Sequence, residues 1–261
     1  MTLRDHVFEG IQMKTPIAIC LGAVLTGAMP SVSARAADDT WEHTLAVYMV
    51  GSSINGTAGI GNVEADVDVS FSDILDNLDA GAMLAYRVER RRWAVVADLI
   101  YLGLENSKSG LGPGGRTRAK AEADQLIFEL DLSYALSERL GVYGGLRYWD
   151  LDADLTIVAA EQSVTGSASE SWIDPLVGLR YAAPLGGKWT LIAKGDVGGF
   201  GVGSDFSWGA TALAAYQVSE HANLLLGYRH IDVDYDDGSG ADRFLWDVWE
   251  GGPTAGFAWR F

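Results

Sequence analysis

Between Asp232 and Gly238 the chain runs Asp-Val-Asp-Tyr-Asp-Asp-Gly, a density of carboxylates that suits a hard divalent cation such as Ca²⁺ or Mg²⁺. Asp232, Asp234, Asp236 and Asp237 are the candidate ligands. The run imitates the opening of a calcium loop, but its glycine comes one position late and Arg243 stands where a bidentate glutamate would close the shell. Immediately before it, His230 and Asp232 lie two apart, the spacing that puts an imidazole beside a carboxylate on one strand face, where the pair could activate water. No serine is marked as a nucleophile, and no catalytic residue is assigned. A second set of charges is scattered at alternate positions through apolar segments: Arg87, Glu89, Asp98, Glu129, Asp131, Arg147, Asp174, Arg180, Lys194, Asp196, Arg229 and Arg260. Six are acids and six are bases, so they can neutralise one another wherever they are brought together.

The elements that carry them must repeat with a period of two. The last eleven residues show this best: Pro253, Ala255, Phe257, Trp259 and Phe261 share one face, while Gly252, Thr254, Gly256, Ala258 and Arg260 share the other. One fully apolar face ending in aromatics, against one small or charged face, describes a strand between lipid and a polar interior. The same reading holds for Trp41 to Gly51, Gly81 to Arg90, Arg92 to Leu104, Ala123 to Leu136, Leu140 to Asp152, Ser171 to Ala183, Trp189 to Gly199, Phe206 to Val218, Ala222 to Asp234 and Leu245 to Phe261. Leu84, Tyr86, Trp93, Val95, Phe128, Leu130, Leu132, Leu146, Leu179 and Leu226 fall on the apolar side. The twelve charges fall on the other. No segment after residue 36 approaches the roughly 18 consecutive apolar residues of a membrane helix, so a spanning chain must close as an all-β antiparallel transmembrane barrel. Ten strands fit best, with eight or twelve also compatible because Val63 to Phe71 can add pairing.

A closed lumen sets the energetics. Unpaired ions in a narrow interior cost several kcal/mol each, so a salt-bridged plug is expected rather than an open pore. Connections alternate between tight turns, as at Arg90-Arg91-Arg92 and Ser137-Glu138-Arg139, and longer Gly-, Ser- and Asp-rich loops. The longest, Ser52 to Ala80, contains a candidate short helix from Ser70 to Leu78, with Ser72 as cap and Ile74, Leu75 and Leu78 on one side. That side is expected to fold into the barrel mouth or over its rim, or equally to pack against Trp246 and Trp249 from the last loop.

The N-terminal segment is read as a secretory signal. Ile17 to Ala28 is apolar but too short to span, Lys14 precedes it, and Ala34-Arg35-Ala36 offers a small-x-small cleavage site. Domains are therefore 1–36, a signal with Met13 as an alternative start, and 37–261, the barrel. Cleavage removes the single cysteine, Cys20, and shifts the net charge from −16 to −17, since three bases (Arg4, Lys14, Arg35) and two acids (Asp5, Glu9) leave. Such acidity argues against nucleic acid as a partner.

The terminal Phe261 with Phe257 and Trp259, the aromatic belts and the signal resemble Gram-negative outer-membrane β-barrels, the small opacity-type and porin-like surface barrels among them. The resemblance implies an outer-membrane location, periplasmic termini, a closing-strand signal read by the barrel-assembly machinery, and contact with lipid and lipopolysaccharide, whose phosphates the acidic loops would meet through divalent cations. It implies a monomer acting as envelope scaffold or surface-interaction protein, or alternatively a narrow channel for small solutes. Omptin-type proteases and lipid A-modifying enzymes share the architecture. For the former, His230 and Asp232 would need Asp150 and Asp152 as second acidic pair, and parity places His230 toward lipid.

Overall fold

The computed structural model describes residues 40–111, 117–159 and 162–261. The signal segment, Met13 and Cys20 lie outside the described residues. The elements are β1 (Glu42–Val50), β2 (Ser53–Ile60), β3 (Val63–Val69), α1 (Phe71–Asn77), β4 (Leu78–Arg90), β5 (Trp93–Leu111), β6 (Thr117–Ala135), β7 (Leu140–Ala159), β8 (Gln162–Gly186), β9 (Trp189–Gly198), β10 (Phe206–Gln217), β11 (Ala222–Asp237) and β12 (Phe244–Arg260). From β4 to β12 each strand pairs antiparallel with the next, and β1 pairs with both β4 and β12. This closes a ten-stranded barrel with β2 and β3 outside the ring. Closure leaves no unpaired edge where lipid would offer no hydrogen bonds.

Alternation in the sequence becomes alternation in space. Phe128, Leu130, Leu132, Leu146, Val177 and Leu179 are exposed on the outer wall, whereas Ile127, Glu129, Asp131, Arg147 and Leu176 on the same strands are buried. One aromatic belt contains Trp93 against Tyr134 and Trp189 against Tyr216, each pair with centroids 4.8 Å apart. The other contains Trp208, His230 and Trp249. From Trp208 to Tyr216 along β10, at about 3.3 Å per residue and about 40° of tilt, the belts stand about 20 Å apart, near the height of an apolar bilayer band. Among the described residues no helix is long and apolar enough to cross a membrane.

Strand lengths depart from the sequence reading. β5 to β8 run 19, 19, 20 and 25 residues, because segments expected as loops continue the ladder well past the second belt. Glu105 pairs with Glu122 and Asp154 with Ser167, in unbroken register with the membrane part. On the opposite wall β12 divides its partners: Thr254 to Arg260 pairs with β1, and Phe244 to Gly251 pairs with β2, which carries β3 in a hairpin. Gly252 makes this handover possible, since a Cβ there would lie 2.0 Å from the Gly51 carbonyl oxygen. β9 and β10 are short, and their pairing with β8 and β11 ends at Leu176–Gly198 and Phe206–Asp234. Beyond the belt the barrel therefore becomes a crown of two four-stranded sheets, β5–β8 and β11–β12–β2–β3.

The short helix is present, but its cap is Ser70 rather than Ser72. Ser70 Oγ accepts from the Asp73 amide, and Asp73 accepts from the Ser70 amide, a reciprocal capping box. Starting the helix at Phe71 turns Ile74 into the lumen, where it is buried, and leaves Leu75 and Leu78 partly exposed.

Candidate functional site

The lumen has two unlike halves. Toward the crown it is filled by hydrocarbon: Ile54, Ile74, Ile100, Ile127, Trp149, Trp172, Ile231, Val233, Tyr235 and Val248 form one buried cluster. Trp149 stacks on Trp172 at 5.5 Å and Trp172 on Tyr235 at 4.0 Å, so a continuous aromatic stack crosses from β7 and β8 to β11. Tyr235 then donates to Glu170 at 3.0 Å. Trp246 packs against the cluster, but Trp249 turns outward onto His230, so only one of the two expected tryptophans joins the plug. The β9–β10 connection folds inward beside it, its Ser204 amide donating to Asp174 at 2.7 Å. Within this half Gln125 on β6 donates across the lumen to Glu250 on β12 at 2.6 Å.

The other half is a charge network. Arg147 donates to Glu129 and to Asp196, both at 2.7 Å, with all three side chains 2–3 % exposed. Lys194 bonds Glu129 and also Asp131, the latter at 2.9 Å, and lies over the Tyr143 ring at 4.7 Å. Tyr143 donates to Asp196, and Arg229 holds Asp98 and the Tyr48 hydroxyl. Arg87 grips Glu89 on its own strand through two nitrogens. The predicted lumen charges are thus largely brought together, with three corrections. Asp174 is bound by the Ser204 amide and the Trp172 indole, not by a base. Arg260 donates to the Glu220 backbone carbonyl near the barrel end. Arg180 lines the lumen without an ion pair to any described residue, opposite Lys194 in register. Sequence reasoning missed the apolar half altogether, although Ile127, Trp149, Trp172 and Val233 stand at lumen parity.

The residues expected to signal assembly, Phe257, Trp259 and Phe261, lie on β12 and at its end, at the seam with β1. Phe257 and Phe261 are exposed, and Trp259 tilts against His221. The Phe261 and His43 backbones exchange hydrogen bonds of 2.9 and 3.1 Å, and their rings stack at 5.6 Å. Deleting Phe261 removes both bonds at the last rung of the closing pair. The folded, heat-modifiable fraction in membranes is expected to fall severalfold while Ala258→Ser leaves it unchanged, read by gel shift of membrane extracts.

The aspartates of β11 run from the second belt, where Asp232 pairs with Trp208 and Trp249, into the crown. Asp232, Asp234 and Asp236 face outward and Asp237 has the opposite parity. Arg243 clasps Asp236 through two nitrogens and reaches Glu64 at 2.6 Å, which holds the Asp236 carboxyl below its usual range. Among the described residues no three carboxylate or imidazole groups converge as a metal site would require. Asp234 stands directly opposite Asp247, and burial together with that neighbour raises its carboxyl pKa. A raised carboxyl penalises the folded state above its own pKa, and the penalty is relieved as pH falls through it. Asp234→Asn is accordingly expected to raise the thermal midpoint slightly at neutral pH and to leave it unchanged in acid.

His230 lies between Trp208 and Trp249, at 4.6 and 5.6 Å, on the outer wall. Asp150 is also on the outer face, bonded by Tyr148 two residues away. Their strands lie on opposite sides of the barrel, so the structure does not bring the four residues of the hydrolase reading together.

No family model and no curated protein matches the chain. Among solved structures it is similar to the outer membrane protease OmpT from Escherichia coli, at 10 % identity, covering 88 % of this chain and all of that one with a TM-score of 0.53. It also aligns with Ail, the attachment invasion locus protein of Yersinia pestis, solved in complex with the heparin analogue sucrose octasulfate: 13 % identity, 85 % and 98 % coverage, TM-score 0.41. A third is the P. putida toluene transporter TodX, at 12 % identity, 86 % and 91 % coverage and TM-score 0.30. The fold is that of an outer-membrane β-barrel. At these identities the likeness is one of fold alone.

Proposed function

We propose that this outer-membrane barrel is a sealed scaffold that presents its two-sheet crown at the cell surface, with both termini in the periplasm. The observation that carries the reading is the hydrocarbon plug: ten buried residues from six strands, β2 and α1 fill the lumen beneath the crown. Water and ions do not cross closely packed hydrocarbon. What remains for interaction is the crown, whose outer face carries Glu64, Asp66, Asp68, Asp152 and Asp154. Orientation is open to a direct test, because the chain has no cysteine beyond Cys20. Asp154→Cys in the crown is expected to label on intact cells with a membrane-impermeant maleimide, and Glu138→Cys in a tight turn only after lysis. The reverse pattern would overturn the reading.

A further inference from the structure

Below the plug the lumen holds a cavity of about 210 Å³ that reaches from Thr254 and Ile231 down to Ser133 and Arg180, near the turn end of the barrel. Its walls divide by chemistry. Ala46, Ile192, Leu213 and Leu225 supply an apolar flank, part of a second cluster that also buries Ala215 and Ala258. Beside them, on the same and neighbouring strands, stand the lumen cations, four of which are already taken: Arg147 and Lys194 by Glu129 and its neighbours, Arg229 by Asp98, Arg87 by Glu89. The fifth is Arg180. Glu89 accepts from two nitrogens of Arg87 at one carboxylate oxygen, and the residue paired with Arg180 in register is another cation, Lys194.

A guanidinium in a confined space wants planar oxygen acceptors, and carboxylate is the group that matches its fork. The apolar wall that begins beside it, at Ile192 on the neighbouring strand, wants hydrocarbon. A cavity of about 150 Å³ accommodates a benzene ring, so this one has room for a ring or short chain bearing one carboxylate. We infer that the lower lumen is a binding site for a small amphipathic organic anion, its carboxylate on Arg180 and its apolar body against Ile192, Leu213 and Leu225. The site goes beyond the surface role and stands or falls independently of it, since it lies on the turn side of the plug.

Benzoate is the probe, with benzamide as its uncharged isostere and acetate as the anion without a body. Binding to the refolded full barrel is followed by ligand-observed NMR titration at constant ionic strength. Benzoate is expected to saturate, with benzamide and acetate at least tenfold weaker. Arg180→Met, which keeps the stem and removes the charge, is expected to weaken benzoate at least tenfold. Leu213→Trp, which fills the cavity and keeps Arg180, is expected to do the same. Near-ultraviolet circular dichroism matching the parent confirms that each variant is folded. Equal binding of benzoate and benzamide, undiminished binding in folded Arg180→Met, or no saturable binding at all would each overturn the proposal, the last meaning that the cavity holds water only.

Discussion

Arg147→Ala is expected to cost the barrel about 3–5 kcal/mol, the largest single loss available in its polar half. The side chain is buried and holds Glu129 and Asp196 at once. Removing it strands two carboxylates in a space that excludes most water, with only Lys194 left to Glu129 and Tyr143 to Asp196. Double replacement with Glu129→Gln should recover part of the loss, because one stranded charge goes with its partner. Arg260→Ala, whose contact is a backbone carbonyl at the barrel end, is expected to stay within about 0.5 kcal/mol. Urea unfolding of the refolded variants in lipid, followed by tryptophan emission, reads all three. A small effect for Arg147→Ala would mean that water fills the network and the lower lumen is wide.

This network was legible in the sequence and the plug was not, for a physical reason. Charged residues inside an apolar strand have one tolerable side, so parity alone placed Glu129, Asp131, Arg147, Lys194 and Asp196 in the lumen. It cannot pair them, because pairing depends on barrel stagger, and so it does not show that Arg260 meets a backbone carbonyl or that Arg180 stands opposite Lys194. Apolar residues carry no such asymmetry. Ile127 next to Phe128, and Trp149 next to Tyr148, read as one apolar run that suits either face, and only closure of the sheet shows that one of each pair points inward. Strand ends were hidden similarly: Thr156 and Thr165, a cross-strand pair of the crown, look like loop residues until the ladder aligns them. The segment Val63 to Phe71 was recognised as a possible extra strand, and its true partner, β2, was hidden by Gly56 and Gly59. The helix is visible in the sequence, but both Ser70 and Ser72 satisfy the rule for a capping side chain, and only the structure selects Ser70.

Emptying the plug is the second large effect. Trp149 is fully buried, stacked on Trp172 and, among the described residues, without a hydrogen-bond acceptor for its indole nitrogen, so its worth is packing. Trp149→Ala is expected to cost about 3–5 kcal/mol by loss of transfer energy and the cavity left behind. Adding Trp172→Ala and Ile74→Ala removes the stack and the contribution of α1 together, which joins the lower cavity to the crown. The triple variant should therefore conduct where the parent does not. Should it fold and remain closed, the seal would have to lie elsewhere, at the Gln125–Glu250 bridge or the Ser204 loop.

The claim that the lumen is sealed is tested most directly by single-channel recording of the unaltered barrel in a planar bilayer. A ten-stranded ring filled by Ile54, Ile74, Trp149, Trp172, Val233 and Val248 predicts a silent trace in molar KCl at moderate voltage, with stepwise openings appearing only in the Trp149→Ala, Trp172→Ala, Ile74→Ala variant. Steady, ohmic steps from the parent protein would contradict it and make the barrel a narrow channel.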